Sequence, residues 1–150
     1  MANRFGKNKF NSRNGTNERK QNTREERKIK GILPLLTVSF KDMDFNQCPP
    51  GQKFADWEEE KLLSDFLNKM ISINQKTIIE VQQEEILTIY NDFPDHSDFK
   101  IPKHIQGDVK WAAIKDIGGQ KPRVAGYILD NVFYVVFLDK GHVFFKMKNK

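Results

Sequence analysis

The chain is 150 residues long, 38% apolar and 11% aromatic, a length and composition that suit one hydrophobic core. Its single cysteine, Cys48, excludes an intrachain disulfide and, beside Pro49 and Pro50, has no metal-ligand spacing around it. The longest apolar runs fall far short of the roughly 18 residues of a membrane helix, and the N-terminus lacks the apolar stretch of a signal peptide, so a cytoplasmic protein that does not engage membranes is expected.

Charge divides the chain unevenly. Residues 1–30 hold ten Lys/Arg and three Glu, whereas residues 31–150 hold fifteen Lys/Arg against seventeen Asp/Glu; the pI near 9.3 therefore belongs to the N-terminal segment. That segment is so poor in large apolar groups that it cannot bury enough surface to offset its ordering entropy, and it reads as a disordered basic arm preceding a single domain over 31–150. Arg4, Lys7, Lys9, Arg13, Arg19, Lys20, Arg24, Arg27 and Lys28 give it the charge density needed to contact nucleic-acid phosphates. A merely solubilising tail would have the same composition.

After Gly31 the pattern changes. Ile32 to Asp44 alternates, with Leu36, Val38 and Phe40 pointing one way and Thr37, Ser39 and Lys41 the other, which predicts a strand. Beyond the turn-rich NQCPPGQK, Asp56 and Glu59 fit a capping box opening a helix. Leu63, Phe66, Leu67, Met70 and Ile71 recur at spacings of three and four and place the helix's apolar face. Asn74 closes it, and Thr77 with Glu80 forms a second box for a shorter helix reaching about Glu84 or somewhat beyond. Residues Asn91 to Asp108 contain two prolines and no sustained period, so a long surface excursion is expected there.

The remainder reads as β: Val109–Ile117, Arg123–Leu129, Val132–Asp139 and His142–Met147. Asp130-Asn131 and Lys140-Gly141 are two-residue connections of types that tolerate positive φ, as tight hairpins require. The predicted fold is thus α+β, β-α-α-β-β-β-β, with a C-terminal antiparallel meander packed on two helices. With tight turns, Tyr127 faces Tyr134, Ala125 faces Val136, Arg123 faces Leu138 and Asp139 faces His142. One sheet face then carries Arg123, Ala125, Tyr127, Tyr134, Val136 and Leu138, and the other Val124, Ile128, Phe133, Val135, Phe137 and Asp139. Both are apolar in the middle, so a second cover is required: the excursion, the arm, or a partner protein.

Cofactor motifs are absent: there is no P-loop, GxGxxG, HExxH, GxSxG or CxxC, and no cofactor is expected. Asp92, Asp95, His96 and Asp98 cluster locally, but their spacing matches no metal loop, so a solvated loop is the reading and no metal is assigned. Asp139 and His142, opposed on a hairpin, would bring a carboxylate within reach of an imidazole, either to raise its pKa for acid–base work or simply to close the turn. Arg123 lies at the same end of the sheet, on the opposite face by alternation unless the sheet twists or bulges. Tyr127 and Tyr134 form a cross-strand aromatic pair suited to stacking bases or to rimming the core.

The order strand, helix, helix, meander, together with RVAGYILDNVFYVVFLDKGH, resembles the RelE/ParE/HigB toxin superfamily of mRNA endonucleases; the same segment also looks like a group of uncharacterised bacterial and phage proteins. The toxin resemblance implies a metal-independent endoribonuclease in which Arg123 meets the scissile phosphate and His142 moves the proton. It also implies that Tyr134 or Lys146 positions RNA, and that an antitoxin-like protein is a partner. The domain departs from that pattern in being net acidic without its arm and in carrying the excursion. A rival expectation is a non-catalytic bacterial or phage adaptor or inhibitor that binds protein through an apolar sheet face and nucleic acid, RNA foremost, through the arm.

Overall fold

In a computed structural model the described residues are 22–29, 31–47, 49 and 52–146. The chain divides into two compact units, Met1–Pro34 and Leu35–Lys150.

In the first unit, residues 22–29 form helix α1, where composition predicts disorder. Arg, Glu and Lys are good helix formers, and Lys28 pairs with Glu25 one turn away at 3.1 Å. Gly31, at φ +73°, ends the helix: its N–H donates to the Lys28 carbonyl at 3.1 Å and the Ile32 N–H to the Arg27 carbonyl at 2.8 Å, the two bonds of a Schellman motif. Arg24, Arg27 and Lys28 lie on this helix. Arg4, Lys7, Lys9, Arg13, Arg19 and Lys20 lie outside the described residues.

The second unit runs β1 (Thr37–Ser39), α2 (Phe54–Glu59), α3 (Leu63–Ile73), α4 (Ile78–Gln83), β2 (Leu87–Asn91), β3 (Lys110–Ile114), β4 (Arg123–Leu129) and β5 (Val132–Asp139). It is an α+β fold with one five-stranded sheet in the order β1-β5-β4-β3-β2. Strands β2 to β5 form an antiparallel meander, and β1 lies parallel to β5 at one edge. No helix among the described residues is long and apolar enough to cross a membrane.

Several local expectations are corrected. The first strand shrinks from thirteen residues to Thr37–Ser39, because the chain turns after Phe40, with the Met43 N–H on the Phe40 carbonyl at 3.3 Å. The predicted long helix is two. Helix α2 starts a turn early, so Asp56 acts at its third position, its carboxylate accepting from the Lys53 N–H at 3.2 Å. Lys61, at φ +60°, then ends it with the Leu62 N–H on the Trp57 carbonyl at 2.7 Å, which lets Trp57 and Phe66 meet edge to face at 5.9 Å. The Thr77–Glu80 box forms as expected, at 3.3 and 3.2 Å. Strand β2 replaces the stretch read as the helix's trailing end. His142–Phe145 is not a strand but a turn folding back over the sheet, and Lys146 shares that irregular conformation.

The decisive departure is in register. Leu129↔Val132, Tyr127↔Tyr134 and Gly126↔Val135 keep the predicted register, but Ala125 pairs with Phe137 rather than Val136. Val136 is therefore an extra residue, a β-bulge. A Cβ on Gly126 would lie 1.8 Å from the Tyr134 carbonyl oxygen, so the close approach requires glycine. The bulged Val136 carbonyl accepts from the Asp44 N–H at 2.9 Å. Beyond the bulge every side chain of β5 changes face: Leu138 joins the helix-side core and Phe137 the opposite one, and Arg123 pairs with Asp139 rather than Leu138.

Both faces are buried. The helix side gathers Leu36, Trp57, Phe66, Met70, Ile73, Val81, Ile114, Val124, Phe133, Val135 and Leu138. The other side holds Trp111, Ala125, Tyr127, Val136 and Phe137, covered by Phe99 and Ile105 of the excursion and by Phe144 of the final turn. The second apolar face is closed by the chain itself, so the burial argument for a partner protein on that face no longer holds. The cover is fastened by Gln47, whose side-chain amide both donates to the Lys100 carbonyl and accepts from the Lys100 N–H, each at 2.6 Å. His104 Nε2 reaches the Asp42 carbonyl at 2.9 Å.

Candidate functional site

Asp139 ends β5 with its side chain fully buried. Its carboxylate accepts from the Val143 N–H at 2.7 Å and the Phe144 N–H at 2.9 Å, and these two bonds pull the last turn onto the sheet. Burial pushes its pKa up, against the pull of those N–H groups and of the Arg123 charge. Asp139 therefore acts as an anchor for the turn. It does not orient His142, because the hairpin that would have opposed them does not form.

His142 occupies the turn at φ +59° and is half-buried. Its pKa is lowered, first by burial and then by the nearby Arg123 guanidinium, the reverse of the rise that a carboxylate partner would cause. The bulge sets up this meeting: with Arg123 in register with Asp139, its charge acts on Asp139, on His142 and on the hydroxyl of Tyr90. Burial raises the Tyr90 pKa, which Arg123 partly offsets.

What distinguishes this cluster is what it leaves unused. Among the described residues, the Arg123 guanidinium, the His142 ring and the Tyr90 hydroxyl make no hydrogen bond, and Arg123 has no ion pair within 4 Å. All three are half-buried. Each stays partly open to solvent, and an arginine fork, an imidazole N–H and a phenol are together donors suited to an anion.

Two residues singled out from sequence do not join the cluster. Tyr134 pairs with Tyr127 four residues along β4 from Arg123, about 13 Å away at strand rise. There it stacks on Tyr127 at 4.6 Å, with the Lys41 ammonium 5.4 Å from its ring centre. The Tyr127 hydroxyl donates to the Asp42 carboxylate, which fastens the loop after β1. Lys146 forms an ion pair with Asp98. Tyr90 was missed because β2 was not read as a strand; the β-branched and aromatic run LTIY was the available signal.

Among the described residues, no three His, Cys, Asp or Glu side chains converge as a metal-binding group. A cleft of about 380 Å³ lies elsewhere, lined by Met43, Phe45, Phe54, Phe99 and Phe137, and includes none of the candidate residues. Compared with known proteins, the chain matches no family model, no curated protein and no solved structure.

Proposed function

We propose that the chain binds RNA, taking a backbone phosphate at Arg123, His142 and Tyr90, and that this cluster serves metal-independent cleavage of the RNA strand. The observation that carries the proposal is the placement of Arg123 in register with Asp139, whose carboxylate holds the turn that bears His142 and sets Phe145 on the Tyr90 ring. A phosphodiester presents anionic oxygens that match the arginine fork. In the cleavage step the ribose 2′-oxygen attacks the adjacent phosphorus to form a 2′,3′-cyclic phosphate while the bond to the 5′-oxygen breaks, and that oxygen leaves as an alcohol after taking a proton from water. His142, kept neutral by its lowered pKa, is the base that takes the 2′-hydroxyl proton, Arg123 stabilises the charge gathering on phosphorus oxygens, and Tyr90, kept protonated, donates to the same oxygens. The basic residues of the N-terminal segment add salt-sensitive phosphate contact.

His142→Ala is expected to lower single-turnover cleavage of single-stranded RNA about 10²-fold or more while weakening binding less than Arg123→Ala does, and Arg123→Ala to weaken both. Full cleavage by both variants, each folded, would falsify the catalytic reading. A second reading, a non-catalytic RNA-binding adaptor, is favoured by the Asp139 carboxylate being engaged by Val143 and Phe144, which leaves His142 without an orienting partner. RNA retained but never cut by the wild-type chain would select it.

A further inference from the structure

Beside the anion cluster lies an aromatic surface that the phosphate contact does not use. The Phe145 ring lies flat on Tyr90, with centroids 4.4 Å apart and planes 5° from parallel. Even with that face covered, Phe145 is 39% exposed, so the residue stays partly open to solvent. Tyr90 is thus shared: its hydroxyl feels the Arg123 charge and its ring backs Phe145. Exposed aliphatic groups such as Leu67 and Ile71 on α3 have no comparable neighbour.

We infer that Phe145, backed by Tyr90, is the platform on which the base next to the bound phosphate stacks, and that it makes the site prefer purines over pyrimidines. The inference rests on the RNA reading above. Its physical reason is that stacking needs an unpaired base and an open aromatic face, and that it tolerates sequence except through stacking strength, which favours the larger purine ring. The Tyr90 and Phe145 rings are already stacked, so less ordering entropy opposes the contact.

The test uses the full chain with short 2′-O-methyl oligoadenylate and oligouridylate, which an attack from the 2′-oxygen cannot cleave, and follows binding by fluorescence anisotropy. Wild type is expected to bind oligoadenylate more tightly. Phe145→Ala is expected to weaken oligoadenylate binding about tenfold and to erase the purine preference, and Phe145→Trp to restore both. Thermal melting of each variant controls for folding; Phe145→Leu, which keeps apolar bulk without an aromatic face, should behave as Phe145→Ala. If Phe145→Leu melts with wild type and keeps wild-type affinity and preference, the stacking inference is overturned. In that case Arg123→Ala decides the underlying reading: loss of binding leaves the phosphate site standing, and unchanged binding removes it as well.

Discussion

The two faces of the sheet are both dry and both built around phenylalanine, yet they are assembled by different means. On the helix side, Phe66, Met70 and Ile73 descend from α3 at helical spacing onto Val124, Phe133 and Val135. On the other side, among the described residues of the second unit, a loop and a turn carry Phe93, Phe99 and Phe144 onto Trp111 and Phe137, packed as stacked and edge-to-face rings such as Phe99–Phe137 at 4.3 Å and Phe93–Trp111 at 4.9 Å. Aromatic groups allow this because each ring buries a large area from an irregular backbone and accepts several geometries. The irregular face is also the one that brings Tyr90, Arg123 and His142 together, since the elements with no periodic obligation are free to present polar groups at the rim.

This comparison can be broken most directly at its centres. Phe66→Ala and Phe137→Ala, one on each face, are each expected to cost about 3–5 kcal/mol in urea unfolding. A cost below about 1 kcal/mol for Phe137→Ala alone would show that the loop-built face lies outside the cooperative core. Next in size is Gly126→Ala, where the added methyl collides with the Tyr134 carbonyl oxygen. A loss of about 3 kcal/mol is expected, together with loss of RNA affinity, because removing the bulge returns Arg123 to a register opposite Leu138.

A smaller effect sharpens how the cover is held. Gln47→Ala removes the paired bonds to Lys100 and one to Asp44 at 2.9 Å. About 1–2 kcal/mol is expected, with faster amide hydrogen exchange at Lys100 and Phe99 and unchanged exchange in α3. Uniform acceleration everywhere would mean that the excursion does not open separately.

The smallest effect is in pH dependence. Burial holds the Asp139 pKa above the ordinary carboxylate value near about 3.9. Between that value and its raised one, the folded chain keeps a proton that the unfolded chain has lost. The resulting stability is fully present below the ordinary value and is lost as pH rises through the raised one. Asp139→Asn removes this slope, so the wild-type stability relative to the variant should fall as pH is raised from about 4 towards neutrality. A rise over that interval would show that the two backbone N–H bonds outweigh burial.

Local chemistry was legible where neighbours in sequence satisfy each other. The Thr77–Glu80 box, the Asp130-Asn131 hairpin and the limits of β4 and β5 all follow from contacts within a few residues. Gly31, where the composition changes, ends helix α1 at φ +73°. Lys61 and Glu85, helix stops at positive φ, gave no signal because neither residue type favours that conformation.

At the candidate site, Arg123, Asp139 and His142 were visible as residues but not as an arrangement. Two-residue alternation places Arg123 and Asp139 on opposite faces, and one unpaired residue, Val136, reverses that relation. The bulge depends on Gly126 lying under the Tyr134 carbonyl and on Asp44, more than ninety residues earlier, satisfying the freed oxygen of Val136. Tyr90 likewise reaches the site only through the pairing of β2 with β3.

Alternation, helical spacing and turn residues act over short distances, and they suffice to specify an α+β domain with an antiparallel meander and two apolar sheet faces. That the chain covers its own second face, that Asp139 anchors a turn rather than a histidine, and that Arg123 comes into register with Asp139 were set by the fold as a whole. Those outcomes depend on backbone hydrogen bonds between distant segments, where a shift of one residue inverts every side chain beyond it.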